Sequence, residues 1–87
     1  MRAYNIRELP IQRRAIKRVG EVFQVPGVVL ATKGITGWPD VAFLCPGART
    51  LLVEFKRPGD EPRPRQLYIH DQLRQLGYTV EVCDDVD

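Results

Sequence analysis

Eighty-seven residues make one domain with a thin core and leave no room for a second. With 44% hydrophobic and 28% charged residues the composition is globular rather than disordered, and no long apolar run suggests a membrane span or a signal peptide. The net charge of +2 conceals an asymmetry, because the last seven residues hold four of the 11 acidic side chains and no base, which leaves 13 basic against 7 acidic residues in the first 80. Such a field favours a polyanion, nucleic acid being the commonest, although a solvated helix face would carry the same charges. The protein is expected to be soluble and intracellular. A domain this small that does complex chemistry often borrows surface from a partner, so an oligomer is expected as well.

Residues 8–24 read as a helix: Ile11, Ala15, Val19 and Val22 recur at helical spacing, with Arg13, Arg14, Lys17 and Arg18 on the remaining surface. Pro10 suits a first helical turn, and Pro26-Gly27 ends the segment. Val28 to Thr32 is a short β-prone run, and Lys33 to Pro39 is a loop punctuated by two glycines and a proline. Asp40 to Leu44 and Thr50 to Lys56 read as strands joined by a hairpin turn at Pro46-Gly47-Ala48. Arg57 to Pro64 holds three of the seven prolines and is a loop. A helix from about Pro64 to Leu76 follows, with Ile69, Leu73 and Leu76 as its apolar stripe and Gly77 as its cap. Tyr78 to Cys83 is a last strand, and the acidic tail from about residue 84 is expected to fray. The predicted order is α-β-β-β-α-β, an α/β fold with a mixed sheet of about four strands flanked by helices. The crossover through the second helix makes the last two strands parallel.

The chemistry lies in Val53-Glu54-Phe55-Lys56. Side chains in a strand alternate faces, so Leu51, Val53 and Phe55 share one side while Leu52, Glu54 and Lys56 share the other. A carboxylate and an ammonium then lie about 7 Å apart at Cα on one face. At a surface this would be an ordinary ion pair that contributes little, but a buried carboxylate must be paired or hold a metal. A hairpin turning around Gly47 sets Asp40 opposite Glu54, and opposite residues of an antiparallel pair point to the same face. A register shift of one residue would separate them. Two adjacent carboxylates repel, and a divalent cation reverses that cost. Hard oxygen ligands with open water positions suit Mg²⁺ or Mn²⁺, leaving Lys56 to orient the attacking water or offset developing negative charge.

Asp40 followed by Glu54-Phe55-Lys56 resembles the Asp…(Asp/Glu)-x-Lys signature of the restriction-endonuclease-like nuclease superfamily. Gly37-Trp38-Pro39-Asp40, Val53 to Arg57 and the following helix with Gln66 resemble the VRR-NUC (virus-type replication-repair nuclease) family. Glu8 and Gln12 resemble the acidic residue and glutamine that open its first helix. The likeness covers nearly the whole chain. It implies a restriction-endonuclease-like core and a metal-dependent DNA endonuclease, with Asp40, Glu54 and the Phe55 main-chain carbonyl as ligands and Lys56 as the catalytic lysine. Short stand-alone members look like phage or bacterial proteins that dimerise and cut branched DNA such as Holliday junctions. The resemblance therefore implies a homodimer in the cytoplasm of a bacterial or phage-infected cell.

Other residues carry two readings each. Glu8 is a further candidate ligand or simply favours the helix dipole; Glu21 is a poorer candidate. Gln66 falls near the sheet-facing stripe in a first turn, so it either caps the helix or points to the site edge. Arg65, near a helix N-terminus, and Lys33 are candidate phosphate contacts or merely exposed, and Arg57, Arg14 and Lys17 complete the candidate DNA-binding set. His70 falls off the apolar stripe and reads as solvated rather than as a general base. Trp38 packs inward or stacks on a base. Cys45 and Cys83 lack metal-ligand spacing and read as buried free thiols. No Ser-His-Asp set, phosphate-binding glycine loop or zinc cluster offers a different chemistry, and no organic cofactor is expected. The competing functional reading is a non-catalytic DNA-binding module that keeps the nuclease fold; a structural assembly protein would leave Glu54 and Lys56 unexplained.

Overall fold

The structure, a computed structural model, describes residues 3–30 and 36–84, with side chains described from residue 10 onward. Helix α1 (Ala3–Phe23) is followed by β1 (Gly27–Val29), β2 (Val41–Cys45), β3 (Arg49–Phe55), α2 (Pro64–Gln75) and β4 (Thr79–Cys83). The predicted order of elements is therefore present.

The four strands form one sheet in the order β1-β2-β3-β4. β1 and β3 each run antiparallel to β2, while β3 and β4 are parallel. The β2–β3 hairpin closes through a single 3₁₀ turn over Pro46–Ala48. Gly47 takes φ +76° there, and Ala48 also lies in the left-handed region, so the chain reverses within three residues. That turn sets Val41 opposite Val53, and the paired ladder ends there, one residue short of Asp40.

Alternation then sorts the strands into two faces. Val41, Phe43, Val53 and Phe55 pack with Ile11 and Ala15 of α1. Ala42, Leu52 and Val80 pack with Ile69 and Leu73 of α2. The two helices thus cover opposite faces of the sheet, giving three layers. Each fully buried aliphatic or aromatic side chain in them contributes about 1.5–3 kcal/mol by transfer from water.

The helices depart from prediction at their ends. α1 begins at Ala3 rather than residue 8, so Pro10 lies inside it. Residues 3–9 contain no glycine or proline, and the helix runs through them at the cost of one backbone hydrogen bond at Pro10. It ends where Gln24 turns left-handed, its N–H donating to the Gly20 carbonyl at 3.1 Å, and Pro26 forbids continuation. Val22 is exposed while Ile16 and Val19 pack on the core, because the helical repeat carries the last turn away from the sheet. In α2 the buried face is Ile69, His70 and Leu73, and Leu76 is 75% exposed. Leu76 stands at the C-cap, past the last turn that touches the sheet. Gly77, at φ +98°, closes the helix with its N–H on the Arg74 carbonyl. No helix among the described residues is long and apolar enough to cross a membrane.

The loop before β2 is fitted against α2. Gly37 has φ +90°, and a Cβ there would stand 2.8 Å from the Arg65 carbonyl oxygen. Trp38 packs on the α2-side core, as its inward reading predicts, and Pro39 is fully buried. Gly37→Ala therefore meets both a disfavoured backbone conformation, about 1–3 kcal/mol, and a rigid main-chain neighbour. The expected result is a loss of at least about 2 kcal/mol in urea unfolding, with Gly37→Asn less harmful because asparagine tolerates left-handed backbone.

Candidate active site

Asp40 stands one residue ahead of β2 with its main chain tied on both sides. Its N–H donates to the Val53 carbonyl at 2.9 Å, and its carbonyl accepts from Leu30 N–H at 2.8 Å. Its carboxylate Oδ2 accepts the Phe55 N–H at 2.8 Å. By the hairpin register that donor faces Pro39, so the Asp40 side chain takes the place of the next ladder acceptor and is held rigidly at the end of β3.

Glu54 and Lys56 lie on the α2 face and are 2% and 8% exposed. Asp40 and Glu54 approach closely enough for one carboxyl to hydrogen-bond the other. Burial raises the Asp40 carboxyl above its ordinary value, outweighing the Phe55 N–H, the Glu54 hydrogen bond and the Lys56 charge, all of which lower it.

The first turn of α2 completes this cluster. Gln66 Nε2 donates to Glu54 Oε2 at 3.1 Å, while Gln66 Oε1 accepts the Arg63 N–H at 2.8 Å. One Gln66 side chain thus both caps the helix and contacts Glu54.

His70 corrects a sequence-based expectation. It is not solvated but fully buried, with Nε2 3.6 Å from Glu54 Oε1. The face of α2 that meets the sheet is Gln66, Ile69, His70 and Leu73, the i, i+3, i+4, i+7 pattern. Reading the stripe through Leu76 hid it. Burial, then the charges of Arg74 and Lys56, lower the imidazole below its ordinary value, so it is neutral at neutral pH. Neither ring nitrogen has a hydrogen-bond partner within the described residues. A buried polar atom left so costs about 1–3 kcal/mol.

The Phe55 carbonyl also faces this cluster. Lys56 N–H donates to the Cys83 carbonyl on β4, and the peptide is trans. In a planar trans peptide the carbonyl points opposite to the N–H, so Phe55 C=O is directed away from β4, to the side where Asp40 stands. No group of three or more His, Cys, Asp and Glu among the described residues could hold a metal. The available donors are thus two carboxylates and a main-chain carbonyl. That set fits Mg²⁺ or Mn²⁺, which keep several waters of their own.

The remaining candidates divide. Arg65 Nε donates to the Thr36 carbonyl at 3.4 Å, and its guanidinium lies 5.5 Å from the centre of the Tyr68 ring. It is exposed beside the loop that leads to Asp40. Arg57, just past Lys56, donates to Asp60 Oδ2 at 2.9 Å. Arg14 and Lys17 are not brought to the site: they lie on α1, across the sheet from Glu54, and Lys17 sits 4.0 Å from Glu21 on the exposed helix surface. Charge counting located basic residues on α1 without telling which face of the sheet that helix covers. The Glu8 side chain and Lys33 lie outside the described residues, as does the acidic tail beyond Asp84. Cys45 and Cys83 form no disulfide and are half-buried rather than buried as expected.

The raised Asp40 carboxyl has a consequence for stability. The folded state holds this proton more tightly than the unfolded chain, so the associated stability is fully present below the ordinary value of 3.8 and is lost as pH rises through the raised folded value. Urea midpoints of the protein in EDTA are expected to fall across that window. Asp40→Asn should flatten the fall, and millimolar Mn²⁺ should oppose it above the window by binding the folded state. An identical pH profile in Asp40→Asn would show that the slope arises elsewhere.

A hairpin presenting two carboxylates and a lysine on one sheet face, closed by a helix that supplies a glutamine, defines a nuclease domain of the restriction-endonuclease-like class. The sequence model of the VRR-NUC domain matches residues 28–86, and the chain belongs to this family. The match begins at Val28, so Glu8 and Gln12 lie outside it. A solved structure of a VRR-NUC domain superposes with a TM-score of 0.80 at 29% identity, covering 91% of this chain and 85% of that one. "Putative nuclease p44" of Acyrthosiphon pisum secondary endosymbiont phage 1 is 36% identical over 84 residues, covering 94% of this chain and 87% of the relative.

Proposed function

We propose that this VRR-NUC domain is an endonuclease that hydrolyses DNA phosphodiester bonds with Mg²⁺ or Mn²⁺. The observation that carries the reading is the packing of Asp40 and Glu54 against each other beside Lys56, at the ends of two paired strands. A buried carboxylate set beside a half-buried one destabilises a protein that has no use for the pair. The 36% identical relative, named a nuclease, supports the same activity.

Asp40, Glu54 and the Phe55 carbonyl would hold the cation. When bound, it lowers the pKa of water and withdraws charge from a phosphoryl oxygen. Lys56 orients the attacking water or offsets the negative charge that develops on the phosphate. Gln66 keeps the Glu54 carboxylate aimed at Asp40. Arg65, exposed at the start of α2, meets a flanking phosphate. Arg57 and Lys33 are further phosphate contacts, and Glu8 a further ligand. Arg14 and Lys17 would reach DNA only where it passes round to the α1 side.

The proposed working form is a homodimer cutting branched DNA such as a Holliday junction, in the cytoplasm of a bacterial or phage-infected cell. A phage relative supports that setting. An apolar groove of about 580 Å³ between α1 and the sheet, lined by Ala15, Val19, Phe23, Phe43 and Leu51, supports self-association on the face away from the site. Cleavage of labelled four-way junction, flap, single-stranded and duplex DNA, with Mg²⁺, Mn²⁺ or EDTA, tests the proposal. Metal-dependent cutting with a preference for the junction is expected. Binding without cutting under either metal would replace the nuclease with a DNA-binding module, and sedimentation decides the dimer.

A further inference from the structure

We propose that His70 is a positioning residue which, together with Gln66, steadies the Glu54 carboxylate from both of its oxygens and fixes the direction in which Glu54 meets a divalent cation. The inference rests on the nuclease reading above and adds a residue to it.

Gln66 and His70 are one helical turn apart on α2, so both side chains reach the same point of the sheet. Gln66 Nε2 lies 3.1 Å from Oε2 of Glu54, and His70 Nε2 lies 3.6 Å from Oε1. The helix therefore addresses the carboxylate at two points. At 3.6 Å the His70 approach is longer than a hydrogen bond; closing it by about a few tenths of an ångström as Glu54 turns to a cation would add a second hold from the same rigid helix to that of Gln66.

Packing alone does not account for a histidine here. His70 is fully buried on the face that carries Ile69 and Leu73, where leucine or phenylalanine would fill the space without burying polar atoms. Neither ring nitrogen has a hydrogen-bond partner within the described residues, so the turn of α2 gains nothing from the imidazole. What remains is the Nε2 edge, which faces Glu54. Side chains that orient metal-binding carboxylates typically change cation affinity by about 10–100-fold when removed.

The test uses the full chain and Mn²⁺ as the probe. His70→Leu fills the space without a donor; His70→Gln returns an N–H near the position of Nε2. Calorimetry is expected to show Mn²⁺ affinity about 10–100-fold weaker in His70→Leu and within a few-fold of the unsubstituted protein in His70→Gln. Cleavage should lose kcat with the KM for DNA unchanged. Affinity and kcat unchanged in His70→Leu would reduce His70 to a packing residue while leaving the nuclease intact. A readout that needs neither metal nor activity is the ¹⁵N resonance of His70 Nε2 in EDTA, which Glu54→Gln is expected to shift. If that resonance does not move in the folded Glu54→Gln protein, the contact is absent and the proposal fails. A protein that neither binds Mn²⁺ nor cuts DNA, yet shows the shift, would retain the His70–Glu54 contact and lose the nuclease reading instead.

Discussion

Glu54→Gln is expected to lower metal-dependent DNA cleavage by about 10³-fold or more while leaving the protein folded and able to bind DNA. The substitution keeps the shape and an oxygen for the Gln66 amide, which lies 3.1 Å from Oε2, and removes only the charge. A carboxylate next to Asp40 and 2% exposed cannot be replaced by solvent. Divalent-ion stabilisation of phosphoryl transfer supplies several kcal/mol, and each 1.36 kcal/mol is a factor of ten. Binding should survive because its electrostatic part comes from exposed basic side chains, and its steep fall with salt should be unaltered. In EDTA the variant should be at least as resistant to urea as the unsubstituted protein, since one of two adjacent carboxylates has been neutralised. Full cleavage by Glu54→Gln with Mn²⁺ would remove Glu54 from the site. A variant that unfolds at a lower midpoint would show that the charge serves the fold.

The parts of this site that could be read from sequence are those that depend on one strand or one tight turn. Alternation along β3 puts Glu54 and Lys56 on one face whatever the rest of the chain does. The three-residue turn at Pro46–Ala48 leaves little choice of register, so Asp40, one residue ahead of the ladder, is brought to the end of β3 that carries Glu54. What escaped reading depends on contacts between elements distant in the chain. His70 is buried because it shares the sheet-facing side of α2 with Ile69 and Leu73, and hydrophobic periodicity cannot register a polar residue on that side. The exposed Leu76 misplaced the stripe in the same way: at a helix end an apolar side chain no longer reports the face. Pro10 allowed a helix start by local rules, and the breaker-free residues before it overrode them. The basic residues of α1 were visible as charge, but which sheet face a helix covers is decided by the crossover and the core and is not carried by charge.

Lys56→Met is expected to lower kcat by about 10²–10³-fold, the range for removing a positioned donor from developing negative charge, with a smaller effect on the KM for DNA. Methionine matches the stem of the lysine and suits a position that is 8% exposed. Arginine should not rescue, because its planar, wider guanidinium does not substitute for a compact ammonium in a closed site. Lys56→Met also has a signature that a surface lysine would lack. The Lys56 charge lowers the Asp40 carboxyl, so without it that carboxyl rises further and the folded state loses more stability as pH increases. The destabilisation in EDTA should therefore be larger at neutral pH than below 3.8, where Asp40 is protonated in both states. Mn²⁺ should recover part of the loss by replacing the missing positive charge beside Asp40 and Glu54. Cleavage that survives in Lys56→Met would leave the two carboxylates as the whole of the site; loss of cleavage with a stability change independent of pH would mean that Lys56 acts on the substrate but not on its acidic neighbours.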